Sequence, residues 1–362
     1  MKTQLTKYKA AAVVASSGMT DGKINAEATL NKVLKFIEAA AEEGVKLIAF
    51  PETCLPMFPF WAFMAVSYSK QNELYSQLFN NSYAVDSPEI KKIAEYCKKY
   101  EMVAMVGMNE KVGYTLYNSQ LFIDNGTILG VHRKTVPTGG ERVIWARGAG
   151  DTLRVFDTSV GKIGGLVCYE HSMALAKYTL ASMGEQVHVA NFPGANFKSQ
   201  PRDRNKTIDA IIRNYTFEGQ TFVLNATTTI NQAETAWYHE LDPSTQGSLE
   251  PGGGIAAIVN PYCNYIAGPL EHEDGMVTAD IDLDQILLAK FMIDSVGHYA
   301  RPDLFQLIFN NRRDISVDIV DKMPGGFSKE AADYVNVLKQ NLHKLQDEEM
   351  VIAVEELAAL FS

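Results

Sequence analysis

Cysteine is scarce in this chain: four in 362 residues, Cys54, Cys97, Cys168 and Cys263, with no C-x-x-C pair. That spacing supports neither a disulfide framework nor a zinc site. It is the usage expected of a reducing compartment, so a cytoplasmic location is predicted. Basic residues are also in deficit, 33 Lys and Arg against 43 Asp and Glu, for a net charge of −10. Phosphate backbones demand the opposite balance, so nucleic acid is not an expected partner; the plain meaning of the charge is solubility. No apolar run approaches the ~18 residues of a spanning helix, so no membrane partner is expected. The apolar stretch in MKTQLTKYKAAAVVASSG is flanked like a strand and is not read as a signal peptide. The seven histidines form no cluster with metal-ligand spacing, so no metal site is predicted.

What is present is an ordinary globular composition, 46% hydrophobic, in a chain long enough for one large domain or two smaller ones. Strands and helices alternate at first. Ala10–Val14 reads as a strand. Leu30, Val33, Leu34 and Ile37 form an amphipathic helical stripe between a capping Asn25 and a terminating Gly44. VKLIAF is a buried strand, and Ser87-Pro88 opens a second helix whose stripe includes Cys97, which makes that cysteine a core residue. From Thr115 the rhythm changes. Asp124-Asn125-Gly126 marks a hairpin, and further short strands follow before helices return near 172–183 and 203–220. Hairpins mixed with α/β units predict two sheets packed face to face with helices outside. Pro302, Asn310-Asn311 and Pro324-Gly325-Gly326 interrupt the last ~70 residues, and 328–362 is helical in pattern, as an arm or an oligomer contact would be.

Three segments share one design, in which a buried strand ends and a reactive side chain follows. LIAFPETCLP presents Glu52, ILGVHRKTVP presents Lys134, and IGGLVCYEHS presents Cys168 before a helix. Alone, each has a dull explanation: a solvated carboxylate, a surface lysine, a small core residue. Together they form a working set. A thiol with pKa ~8.5 needs help to react at neutral pH. A helix start near His171 and the Lys134 charge would stabilise the thiolate, and Glu52 in a poorly solvated pocket could carry protons. Pairing Cys168 with His171, as in papain-like enzymes, is a weaker alternative because it leaves Glu52 and Lys134 unused. His132 and His188 lie within strands and read as structural. The aromatic run LPMFPFWAF, Phe58 included, is either an apolar substrate wall or a buried loop or subunit contact.

These segments, in this order, resemble the Glu-Lys-Cys triad of the nitrilase superfamily. GVHRKTVPTGGERVIWARGAGDTLRVFDTSVGKIGGLVCYEH, GEQVHVANFPG and DSVGHYARPDLFQL resemble its nitrilase branch, and the similarity extends over about residues 8 to 310. The resemblance implies an α/β fold, a four-layer α-β-β-α sandwich, with a hydrolase domain over 8–285. It leaves 286–362 as a C-terminal extension making oligomer contacts, in homodimers that assemble into larger oligomers or spirals. It implies Cys168 as nucleophile, Glu52 as general base and acid, and Lys134 as the stabiliser of developing negative charge. Glu141 would be a second glutamate orienting the lysine or water, and the Tyr169 N–H an oxyanion donor. The implied reaction is hydrolysis of a small-molecule nitrile to a carboxylic acid and ammonia, with no metal or organic cofactor required. Rival activities are those of an amidase, a carbamoyl hydrolase or a cyanide-degrading enzyme; a more remote rival is an inactive filament-forming or binding protein. Three residues depart from the pattern: Tyr169 where Trp is common, Gly140 where His is frequent, and Val14 where Gln is usual. They bear on substrate preference rather than reaction class, with Tyr169 and Phe58 as candidate substrate contacts.

Overall fold

Strand β1 (Lys7–Ala15) carries apolar residues on both faces. Tyr8, Ala10, Ala12 and Val14 enter one core while Ala11, Val13 and Ala15 enter another, the period-two alternation of an extended chain. Buried on both sides, the strand reads as a nearly continuous apolar run. Helix α1 (Ala26–Glu42) follows; Asn25 Oδ1 accepts from Ala28 N at 2.9 Å, and Gly44 takes a φ of +77° just beyond its end. The chain continues through β2 (Val45–Ala49), α2 (Tyr68–Asn80), α3 (Pro88–Lys99), β3 (Val103–Val112), β4 (Thr115–Asp124) and β5 (Thr127–Arg133). Then come β6 (Phe156–Thr158), β7 (Gly161–Val167), α4 (Ala174–Ser182), β8 (Val187–Phe192), α5 (Arg204–Gly219) and β9 (Phe222–Thr228). Last are α6 (Gln232–Leu241), β10 (Ile255–Val259), β11 (Tyr265–Glu271), β12 (Gly275–Asp282) and α7 (Asp284–Met292). This computed structural model describes residues 5–20, 22–198, 203–312 and 337.

The strands form two halves. One runs β5-β4-β3-β2-β1-β12 and the other β6-β7-β8-β9-β10-β11, joined where Val14 and Ala15 pair with Thr227 and Thr228. The β4–β5 hairpin turns on Asn125 and Gly126, both with positive φ, as a tight two-residue turn requires. Between the halves lies one core, with Ala10, Leu47, Met105 and Phe122 meeting Ile163, Val189, Leu224 and Ile258. Outside the first half, α1 and α3 bury Leu30, Ile37, Ile93 and Cys97 against Ile48 and Ala104. Outside the second, α4 and α5 bury Leu180, Ile208, Ile212 and Tyr215 against Leu166, Ala190 and Val223. The result is the four-layer α-β-β-α sandwich.

Helices α2 and α6 have no counterpart in the sequence pattern. Helix α2 buries only Leu74 and Leu78, too few for a stripe, and α6 is ten residues long. Both pack on a separate cluster containing Met57, Phe58, Phe60, Trp61 and Trp145. The chain divides into two compact units, Met1–Arg313 and Asp314–Ser362. The helix expected over 328–362 lies outside the described residues, Val337 apart. Among the described residues no helix is long and apolar enough to cross a membrane.

Candidate active site

Glu52 sits in a turn just past β2. The turn lies flat on β3, with Phe50 N donating to Met105 O and Leu55 N to Gly107 O. A side chain at Gly107 would place its Cβ 1.9 Å from Pro51 O, so only glycine permits this approach. Lys134 immediately follows β5, its N–H donating to Asn118 O at 2.8 Å. Glu141 stands in the 3-10 turn Gly139–Val143 and accepts from Thr138 N at 2.7 Å. Cys168 directly follows β7, in the left-handed region with φ +53°. For a non-glycine residue this backbone is strained, and such strain collects at functional positions.

The fold brings the four side chains together. Lys134 Nζ donates to Glu52 Oε1 at 2.9 Å and to Glu141 Oε2 at 2.7 Å. Asn118 Nδ2 donates to the same Glu52 oxygen at 2.7 Å. Glu52 Oε2 is buried and has no hydrogen-bond partner among the described residues, so one oxygen is held and the other is free to take a proton. All four residues are buried.

Burial drives the electrostatics. It pushes the Glu52 carboxyl up to about 7, aided by the Glu141 charge and opposed by Lys134 and Asn118. Burial pulls the Lys134 ammonium down, but Glu52, Cys168 and Glu141 outweigh it and keep the lysine charged. The Cys168 thiol is pushed up to about 12, by burial first and then by the Glu52 charge, against the pull of Lys134 and Arg204. From the sequence, a helix start and Lys134 are expected to favour the thiolate; the Lys134 charge does pull in that direction, but burial outweighs it. Residues Cys168–Ser172 form only a 3-10 turn, and α4 begins at Ala174.

A cavity of about 460 Å³ opens onto Cys168 and Glu141. Phe58, Phe60, Phe63 and Phe197 give it an apolar wall, and Tyr169 and Arg204 also line it. Phe58 is buried and lines the cavity. Among the described residues no group of three or more His, Cys, Asp and Glu is arranged to hold a metal ion.

The model of the carbon–nitrogen hydrolase family matches residues 9–291. The chain belongs to that family. An aliphatic nitrilase of Rhodococcus rhodochrous is 34% identical over 319 residues, which cover 87% of this chain and 83% of that one. A nitrilase of Paraburkholderia phymatum is 36% identical over 285 residues, 78% of this chain and 82% of the relative. The crystal structure of a carbon–nitrogen hydrolase from Helicobacter pylori superposes with a TM-score of 0.65 at 16% identity, covering 83% of this chain and 97% of that one, a likeness of fold.

Other residues of this carbon–nitrogen hydrolase had no sequence signal of their own. Asn118 lies in mid-strand, indistinguishable there from any polar strand residue. Arg204 begins α5, and its Nε donates to Pro193 O at 2.7 Å. Glu170 is a buried clamp between the Lys134 and Cys168 segments. Its Oε1 accepts from Thr135 N and Oγ1, and its Oε2 accepts from Val167 N and contacts His132 Nε2 at 2.9 Å. Gly140 gains a reason as well. A Cβ there would lie 2.4 Å from Ala62 O, so the turn carrying Glu141 can pack on the Phe60–Phe63 turn only without a side chain. His171, the alternative base, does not serve Cys168 Sγ; its Nδ1 bonds the Cys168 carbonyl at 2.6 Å.

Proposed function

We propose that this chain is a nitrilase, converting an organic nitrile and two waters into a carboxylic acid and ammonia. The observation that carries this reading is the buried Glu52–Lys134–Glu141 array beside Cys168 in a largely aromatic cavity, in a chain whose relatives are nitrilases over about four-fifths of its length.

In the reaction, the free oxygen of Glu52 takes the Cys168 proton as sulfur attacks the nitrile carbon. The proton passes to nitrogen, leaving a covalent thioimidate. Lys134 and the Tyr169 N–H, which begins a turn and so lacks an intrahelical partner, stabilise negative charge as it develops. Glu52 then deprotonates a water that adds to carbon, and ammonia leaves from the tetrahedral species. A second water cleaves the resulting thioester, releasing the acid and the thiol. Covalent attachment divides one difficult addition into easier steps. Glu141 keeps Lys134 aimed, and the aromatic wall, with Phe58 and Tyr169, suits an apolar substrate body.

We assign the chemistry to residues 8–285 and contacts between copies of the chain to 286–362. Support comes from Leu287, Leu288, Phe291 and Met292, all exposed on α7, a concentration of apolar surface that a homo-oligomer would cover. A homodimer that assembles further and resides in the cytoplasm fits this picture.

Ammonia release from a panel of nitriles and the matching amides tests the function. Nitrile turnover is expected, with a Cys168-linked adduct in the intact mass after brief exposure. Cys168→Ala should lose turnover by at least about 10³-fold and form no adduct. Strong amide turnover with inert nitriles would overturn the assignment.

A further inference from the structure

Behind the nucleophile runs a second set of buried polar groups that the reaction does not touch. His171 Nδ1 bonds Cys168 O at 2.6 Å, and His171 Nε2 meets His188 Nε2 at 2.9 Å. His188 Nδ1 meets Glu185 Oε1 at 2.8 Å, and Tyr215 Oη donates to Glu185 Oε2 at 2.5 Å. All four side chains are buried between β7, β8, α4 and α5. The His188 and Tyr215 rings stack at 3.6 Å and His171 stacks on Phe192 at 5.0 Å, so the imidazoles cannot turn over freely. Gly164 makes room for the carboxyl, since a Cβ there would sit 2.1 Å from Glu185 Oε1.

The proton positions follow from one end. A carbonyl only accepts, so His171 Nδ1 carries hydrogen. Burial, then the neighbouring His188, drives the His171 imidazolium down to about 3, so the ring is neutral and its Nε2 accepts. His188 Nε2 must then donate, which leaves His188 Nδ1 as acceptor when that ring is neutral. Glu185 Oε1 must therefore carry the next proton. Shifting that proton along the Glu185–His188 bond gives an ion pair of the same proton count and the same bond to Cys168.

We propose that Tyr215, Glu185, His188 and His171 form a positioning relay that fixes the Cys168–Tyr169 peptide plane, and that it engages only while the Glu185–His188 pair keeps its proton. The carbonyl of Cys168 and the N–H of Tyr169 share one planar trans unit and point in opposite directions. Drawing the carbonyl into the relay turns the N–H the other way and holds the strained backbone of the nucleophile. The inference rests on the nitrilase reading insofar as that N–H serves the oxyanion.

Removing the proton cuts the relay. A Glu185 carboxylate requires hydrogen on His188 Nδ1. The two Nε2 atoms then face each other as lone pairs, unless His171 shifts its own hydrogen to Nε2 and loses Cys168 O. Burial pushes Glu185 up to about 8, against the Tyr215 hydrogen bond. The other groups acting on the relay are His132, Glu170 and Lys177 on His188, Glu170 and Lys177 on His171, and Glu218 on Tyr215. Cys168 and Lys134 lie well above this range, so the relay predicts an alkaline limb of activity near pH 8.

The test compares Glu185→Gln with Glu185→Ala. A glutamine amide donates to His188 Nδ1 and accepts from Tyr215, preserving the bonds without a titratable proton. Glu185→Gln should keep kcat within about threefold at pH 7.5 and lose the alkaline limb near 8. Glu185→Ala should lower kcat by about 10²-fold, the scale of a lost oxyanion donor, with KM little changed. 15N spectra of the histidine rings provide a readout that needs no substrate. Wild type should show hydrogen on His171 Nδ1 below pH 8 and lose that state above it, whereas Glu185→Gln should retain it. If no nitrile is turned over, the function assignment fails while the 15N spectra still decide the relay. An unchanged alkaline limb or an unchanged His171 titration in Glu185→Gln would overturn the relay, as would full activity in folded Glu185→Ala. Should the alanine variant not fold, the glutamine variant decides alone.

Discussion

Changing Glu141 to Gln removes one charge from the site while keeping its shape. A glutamine oxygen can still accept from Thr138 N and Lys134 Nζ, the two bonds now made by Glu141 Oε2. Glu52 and Glu141 bond the same Nζ, so their bonded oxygens lie within about 6 Å of each other. Two unit charges at that separation interact by about 3 kcal/mol at an effective dielectric near 20, equivalent to about two pH units. The Glu141 charge raises the Glu52 carboxyl, so its removal should lower that group from about 7 toward 5. As the proposed base, Glu52 would act in its ionised form, so activity is expected to rise with pH through its pKa. The acid limb of kcat/KM, which reports the free enzyme, should move down by one to two pH units in the variant. Ammonia release measured at initial rates between pH 4.5 and 9 would show it. A limb that stays near 7 in a variant with wild-type circular dichroism would refute the electrostatic account of Glu52.

Glu170→Ala should cost about 3 kcal/mol of stability and most of the activity, because it strips partners from Val167 N, Thr135 N and His132 inside the protein; denaturant melts and turnover measure both. In the wild type, burial raises the Glu170 carboxyl, but His132 and Thr135 outweigh it and hold it near 2. Its stabilisation is present above the unfolded carboxyl value near 4.5 and is lost as pH falls through about 2, a loss that acid titrations of Glu170→Gln should lack. Gly140→Ala should push the Glu141 turn off Ala62 O and reduce turnover about tenfold, with a smaller effect on the melting temperature.

Much of this molecule follows from local sequence. Asn25, Ser87 and Gly44 bound helices because a cap needs only a side chain and its next turn. Glu52, Lys134 and Cys168 could be singled out because each follows a strand whose apolar run ends abruptly, and the surrounding segments carried the family resemblance. The tertiary structure decided what those three residues meet. Asn118 reaches Glu52, and Glu170 ties the Lys134 segment to the Cys168 strand, only because separate strands and turns fold side by side. The ionisation states were equally illegible. A sequence cannot say how completely a carboxyl or thiol is removed from water, and burial is what carries Glu52 to about 7 and Cys168 to about 12. His188 looked like a structural histidine in its strand. Its place between His171 and Glu185 depends on three-dimensional packing between β8 and α5, since a hydrogen-bond chain is defined by distance in space and not along the chain.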